Sequence, residues 1–374
     1  MTRRAYVHRL CAKSPDDVSG LEAGIRDKRI DADAIVAIFG KTEGNGCVND
    51  FTRGFAARAL GDCLGQHRVV GGTDPVCLVM SGGTEGAMAP HFLVFEAREV
   101  TEPPRVGALA VGRARTPPLP PEHLGSLAQV DHVAEGVARA LADAGIDDPA
   151  QVHFVQVKCP LLTAERIAEA EARGMPVATR DTLKSMALSR AASALGVAVA
   201  LGEVDRSRLG EGAIGKDWSL FSSRASASAG VELTDHEIVV LGAAPGWAGP
   251  LQGGHALMRD AIDIEPVRAA LEGLGLGGPG QLDAARRSRI VAVLAKAEAS
   301  SSGVLRGHRH TMLDDSDISS TRHARAFVAG VLAGLIGHAE IYVSGGAEHQ
   351  GPDGGGPVAL IVERQGFGDG PCPT

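Results

Sequence analysis

Aromatic residues are scarce in this 374-residue chain, at 3%: two Trp, two Tyr and nine Phe. A surface that stacks bases needs more of them, so a single-strand nucleic-acid platform is excluded. Basic runs are missing as well. Arg105, Arg113 and Arg115 form only a sparse stretch, and the net charge is −8. Duplex binding, which neutralises phosphates with clustered Lys and Arg, is therefore not expected. No run of about 18 apolar residues occurs, so no membrane span is expected. The N-terminus carries Arg3-Arg4 but no apolar core of a secretory signal. The six cysteines (Cys11, Cys47, Cys63, Cys77, Cys159, Cys372) contain no C-x-x-C pair. Scattered thiols in a chain this long read as reduced and mostly buried, which predicts a cytoplasmic protein.

What is abundant is Gly, at 49 residues, and a short pattern that returns three times. Ser81-Gly82-Gly83-Thr84-Glu85, Ser228-Ala229-Gly230-Val231-Glu232 and Ser344-Gly345-Gly346-Ala347-Glu348 all read Ser-small-Gly-x-Glu. Upstream of each lies an apolar run that ends in lysine: Ile35 to Lys41, Val152 to Lys158 and Ile290 to Lys296. Between lysine and serine lies a helical stretch with an arginine beside a hydroxyl residue. These are Thr52-Arg53, Ser189-Arg190 and Thr321-Arg322, with Arg325 one turn beyond Arg322 as a rival. A repeat of this length marks structural copies.

Pro/Gly clusters punctuate the copies. They divide the chain into units 1–103, 104–250 and 251–374. Each unit is predicted to run helix, lysine strand, helix, serine loop, closing strand, which is an α/β order. The predicted fold is α/β, with three related domains in pseudo-threefold symmetry around a central β-barrel-like core and helices outside. The lysine-to-serine spacing is 40, 70 and 48 residues. The long middle spacing reflects an insertion near 205–223, a loop near the site or an oligomer contact.

Serine beside lysine is a nucleophile beside a base, provided burial or nearby cations lower the lysine pKa. Small residues after each serine let backbone N–H groups approach a carbonyl oxygen. Guanidinium groups suit carbonyl oxygens and anions. Taken singly, a Ser-Gly-Gly is usually a turn, a strand-end Lys usually solvated, and the motif glutamates usually loop caps. Three copies in one order favour a composite site. His308-Arg309-His310 and His349-Gln350 lack metal-ligand spacing and read as loop residues. Residues 350–356 form a Gly-rich loop able to offer carbonyls to a hard cation. Gly273 to Gly280 reads as a linker, and no Walker A motif is present.

The stretch Gly40-Lys41-Thr42-Glu43-Gly44-Asn45-Gly46-Cys47-Val48-Asn49-Asp50-Phe51-Thr52-Arg53 resembles the cyanuric acid hydrolase and barbiturase family. So do Met80 to Gly86 with Ala89-Pro90-His91, Ser226 to Gly230, and Val343 to Glu348. The resemblance covers the whole chain in order. It implies hydrolytic opening of a cyclic amide, cyanuric acid going to carboxybiuret and then to biuret plus CO2. It implies Ser228 as nucleophile and Lys158 as its base, with Ser226 a competitor outside the repeat register. Arg53, Ser81, Gly82, Arg190, Ala229, Arg322, Arg325, Ser344, Gly345, Lys41 and Lys296 would hold the substrate. No organic cofactor is implied. A structural divalent cation (Mg or Ca) would sit at Glu298 and the carbonyls of Ala347, Gln350, Gly351, Pro352 and Gly355. A homotetramer acting on a small molecule is implied. Cys47 and Thr84-Glu85-Gly86 resemble the cyanuric acid branch more than barbiturases. Barbituric acid hydrolysis, or binding of a small ring without turnover, are the alternatives.

Overall fold

The computed structural model describes residues 1–69 and 75–365. Cys372 lies outside them. In chain order the first third contains β1 (Thr2–Cys11), α1 (Ser19–Arg26), β2 (Ile35–Thr42), α2 (Phe51–His67), β3 (Cys77–Gly82) and β4 (His91–Val100). The middle third contains β5 (Leu109–Arg115), α3 (Leu127–Ala144), β6 (Val152–Pro160), α4 (Ala164–Ala172) and α5 (Thr182–Ala200). It ends with β7 (Ala225–Gly230), β8 (Glu237–Ala243) and the short β9 (Trp247–Ala248). The last third contains β10 (Leu251–Met258), α6 (Glu265–Gly273), α7 (Ala284–Arg287) and β11 (Ile290–Ala297). It continues with β12 (Val304–Leu305), β13 (His308–Arg309), α8 (Ser320–Ile336), β14 (Tyr342–Gly345) and β15 (Gly356–Glu363).

Apart from the antiparallel β12-β13 pair, the described strands make three mixed sheets with one strand order: β3-β2-β4-β1, β7-β6-β8-β5 and β14-β11-β15-β10, with β9 added beside β1. In each sheet the lysine strand runs parallel to the serine strand, and the register places the two residues side by side. The pairs are Lys41 with Ser81, Lys158 with Ser228, and Lys296 with Ser344. Each lysine strand also carries an irregularity at its start, at Ile35/Ala37, Val152/Phe154 and Ile290/Ala292.

Two features differ from the sequence reading. Each serine lies in a strand, not a loop, because the small residues after it continue the parallel ladder. The described strands form open sheets, not a closed barrel. Side chains bridge the seams between sheets. Arg9 of β1 donates to the Ile290 carbonyl at 3.4 Å, and Arg113 of β5 donates to the Ile35 and Val36 carbonyls at 3.3 Å. His255 of β10 meets His153 of β6 at 3.1 Å. Each opening strand thus leans on the start of another sheet's lysine strand.

Strands buried on both faces read as continuous apolar runs, which is why the lysine strands were visible. Successive side chains point to opposite faces. In β2, Phe39 joins the core shared by all three sheets, whereas Ile38 packs with α1 and α2 on the outside. In β11, Leu294 points inward and Val293 packs outward beside α6 and α8. Lys41 and Lys296 follow the inward-facing positions by two residues, so both ammonium groups are delivered to the centre. The 205–223 insertion packs Leu209, Ile214 and Leu220 against α5. It also touches the third-unit loop, where the Gly215 amide donates to His349 Nε2 at 2.7 Å and Trp218 stacks on the His349 ring.

Candidate active site

At the centre the three sheets bring their serines to one small cavity. Ser81, Ser228 and Ser344 line it, together with Gly82, Ala229, Gly345, Arg53, Arg190 and Arg325. Gly46, Met80 and Met186 complete the wall. Three lysines lie behind the serines, all essentially without solvent contact. Lys41 Nζ donates to Ser81 Oγ at 3.3 Å and to the Gly82 carbonyl at 3.4 Å. Lys296 Nζ donates to Ser344 Oγ at 3.2 Å, the Gly345 carbonyl at 3.0 Å and the Ala227 carbonyl at 2.9 Å. Lys158 Nζ donates to the Met80 carbonyl at 2.7 Å and forms an ion pair with Glu232 at 2.7 Å. Ser228 Oγ is 3.0 Å from Ser344 Oγ. Its strand neighbour Ser226, the competitor, is fully buried, and its hydroxyl meets no partner in the structure.

The motif glutamates do what no single unit reveals. Glu232 of the second motif faces Arg53 of the first unit at 3.9 Å. Glu348 of the third accepts from Arg190 of the second at 2.8 and 2.6 Å. Glu85 of the first accepts a forked pair from Arg325 of the third, Nε at 2.6 Å. Arginine and glutamate therefore close a cycle across the three units. This cycle also separates the two arginine rivals. Arg325 is 3% exposed and lines the cavity, whereas Arg322 is 39% exposed and reaches only the rim of Glu85 at 3.2 Å. Arg325 lies on the helix face of Ala324, Val328 and Leu332, which is the buried one.

The glycines of the motif have a physical cause here. Gly83 and Gly346 adopt φ of +99° and +78°, conformations that favour glycine. A Cβ on Gly83 would lie 2.1 Å from Arg325, and one on Gly346 would lie 2.4 Å from Arg190. The Gly83 amide donates to the Thr42 carbonyl at 2.8 Å, so it is committed to the fold and not to a substrate.

Charge is balanced tightly. Burial pulls the Lys296 ammonium down to about 7, with the nearby Arg190 adding to the effect. Burial also pulls Lys41 well below the usual lysine range, aided by Arg325. Burial lowers Lys158 too, while Glu232 opposes the fall. For Glu232 burial favours the neutral acid, but Lys158 and then Arg53 keep it ionised. Deprotonated lysine next to a serine hydroxyl is a competent base. Cations around a cavity can hold oxygen atoms that gain negative charge.

For the cation residues, Glu298 accepts from the Ala299 amide and Thr321 Oγ1, both at 2.9 Å. Burial and the neighbouring Glu348 push its carboxyl up, which a cation would relieve. The Ala347 and Pro352 carbonyls each accept one amide, from Gln350 and Gly355 at 2.9 Å, and keep a second lone pair. Among the described residues no group of three or more His, Cys, Asp or Glu gathers. This donor set of one carboxylate and several carbonyls suits a hard cation.

A cavity of serines, buried lysines and arginines between three mixed sheets has the groups that amide hydrolysis uses. Residues 6–363 match the family described as "Amidohydrolase ring-opening protein", and the chain belongs to that family. It is 64% identical to a cyanuric acid amidohydrolase of Bradyrhizobium sp. (strain ORS 375), over 97% of this chain and 98% of that protein. It is 62% identical to one from Azorhizobium caulinodans, over 96% and 98%. The crystal structure of cyanuric acid hydrolase from A. caulinodans superposes with a TM-score of 0.90 at 61% identity, covering 97% of this chain and 99% of that one. The protein is an enzyme of the amidohydrolase class. Among the described residues no helix is long and apolar enough to cross a membrane.

Proposed function

We propose that this enzyme opens the ring of cyanuric acid, with Ser228 as nucleophile and Lys158 as its base. The observation that carries the proposal is the cavity lined by three serines and three arginines, each serine paired in the same strand register with a buried lysine. A ring with three equivalent carbonyls suits three such sets. Arg53, Arg190 and Arg325, with Ser81 and Ser344, would hold the ring oxygens. Ser228 Oγ would attack one ring carbonyl carbon as Lys158 takes its proton, and the C–N bond would break as nitrogen is protonated. Water would then release carboxybiuret, which loses CO2 to give biuret. Lys158 stands apart because Glu232 touches it directly, which orients the base. The three units 1–103, 104–250 and 251–374 would be related by a pseudo-threefold axis through the cavity. A hard cation at Glu298 and the Gly-rich loop would stiffen the third unit, and the protein would be a cytoplasmic homotetramer.

A second reading of the base has its own support. Ser228 Oγ contacts Ser344 Oγ, which contacts Lys296 Nζ. Lys296 could therefore take the Ser228 proton through Ser344. The test of the function is Ser228→Ala, assayed by biuret formation and by kcat/KM on cyanuric and barbituric acid. The expected result is a folded, inactive protein and a preference for cyanuric acid in the wild type. Near-wild-type turnover by the variant would overturn the proposal. Binding without any biuret from the wild type would identify a non-catalytic binder.

A further inference from the structure

The three serines share a register but not their surroundings, and the difference lies one layer beneath them. Two residues before each serine stand Val79, Ser226 and Tyr342, on the same face of their strands as Ser81, Ser228 and Ser344. Two residues before each lysine stand Phe39, Gln156 and Leu294. Three of these six, Val79, Phe39 and Leu294, are the apolar side chains expected under a buried site. Tyr342 and its fully buried polar companions Gln156 and Ser226 break the pattern.

Tyr342 has no solvent contact, and its ring packs against Phe39 with centroids 5.9 Å apart. The ring belongs to the third unit, on the same strand face as Ser344, whose Oγ lies 3.0 Å from Ser228 Oγ, and its hydroxyl is directed toward Ser81 and Ser228 of the other two units, which act on its electrostatics. With neither does it complete a well-formed hydrogen bond in the structure. A buried hydroxyl left without a partner costs about 1–3 kcal/mol, so a contact that completes the bond is favoured. Burial also raises the phenol's pKa, so it stays a neutral donor.

We propose that Tyr342 is a positioning residue that donates its proton to Ser228 Oγ and so makes the middle serine the one that attacks. This inference rests on the reading of Ser228 as nucleophile. A serine oxygen has one proton to give and two lone pairs to receive. Once Tyr342 occupies a lone pair of Ser228, the serine proton points away from the phenol, toward the base. The phenol has a single proton, so it cannot serve Ser81 in the same way. Ser81, already accepting from Lys41 at 3.3 Å, can only donate to the phenol oxygen. Lys41, Ser81, Tyr342 and Ser228 then form one directed chain, and the equivalence of the three serines is lost.

The test is Tyr342→Phe, which keeps the ring packed on Phe39 and removes only the oxygen. Two quantities are read: kcat and KM on cyanuric acid, and the rate constant for covalent labelling of Ser228 by a fluorophosphonate. The expected result is a fall of about tenfold in both kcat and the labelling rate constant, the worth of one hydrogen bond, with KM unchanged. Misfolded material lowers the labelling endpoint but not its rate constant, so a purely structural effect is recognised. Wild-type kcat and labelling rate in Tyr342→Phe, with Ser228→Ala inactive, would overturn the role of Tyr342 and leave the nucleophile in place. Labelling or turnover that survives Ser228→Ala would overturn both.

Discussion

Replacing Glu232 with Gln removes one negative charge and almost no volume. The carboxylate sits 2.7 Å from Lys158 Nζ and 3.9 Å from Arg53. It holds the Lys158 pKa up against burial, and an opposite charge at this range moves a pKa by about 1–3 units. Without it Lys158 becomes neutral at lower pH. The acid limb of kcat/KM, which reports the base of the free enzyme, should therefore move about 1–3 units toward lower pH. Breaking a buried pair costs about 3–5 kcal/mol, and this cost falls with rising pH because a neutral Lys158 needs no counter-charge. Arg53 keeps its charge, so part of the loss persists. The assay is a pH profile of kcat/KM for wild type and Glu232→Gln, with Tm measured across the same range. An acid limb that stays fixed in Glu232→Gln but shifts in Lys296→Met would refute Lys158 as the base and support the route through Ser344.

Arg325→Ala should cost about 3–5 kcal/mol of stability and most substrate affinity, since it leaves Glu85 only the half-exposed Arg322; Arg322→Ala should cost under about 1 kcal/mol, both checked by denaturant unfolding and KM. Burial holds His91, His153 and His338 down to about 4 and His236 to about 3. Their unfolded value is near 6.5, so the unfolded chain binds more protons between these limits. Stability is then full above about pH 6.5 and lost as pH falls toward 4, visible as a falling Tm. Gly346→Ala should lower both Tm and kcat, because the new Cβ strains a positive φ and displaces Arg190. Retained activity with Arg190 undisturbed would contradict this packing account.

The lysine strands and the helices between them were legible because their apolar runs and helical spacing are local signals. The register of Lys41 with Ser81 followed from those signals once the strands paired. The opening strands were not legible. Thr2–Cys11 carries Arg3, Arg4, His8 and Arg9, and Leu251–Met258 contains two adjacent glycines. Their strand character comes from pairing with β4 and β15, partners far along the chain. Ser-Gly-Gly reads locally as a turn, while the parallel ladder keeps it in a strand. The Thr-Arg echo pointed first to Arg322, but only the placement of α8 shows which arginine faces inward. The Arg–Glu pairs span 158 to 240 residues, so no local pattern could disclose them. Tyr342 was missed for a related reason: its hydroxyl acts on units other than its own.

The cycle of arginines and glutamates also governs the order in which a working molecule can come into being. Arg190 is synthesised 158 residues before Glu348, and Glu85 waits 240 residues for Arg325. A nascent chain that has completed two thirds of its length carries an unanswered cation at one seam and an unanswered anion at another. Neither can be desolvated until residues 320–348 have docked. Cavity, charge balance and tertiary closure should therefore arrive together, late, and in a single step, and a fragment lacking the last third should fail to settle as well as fail to react.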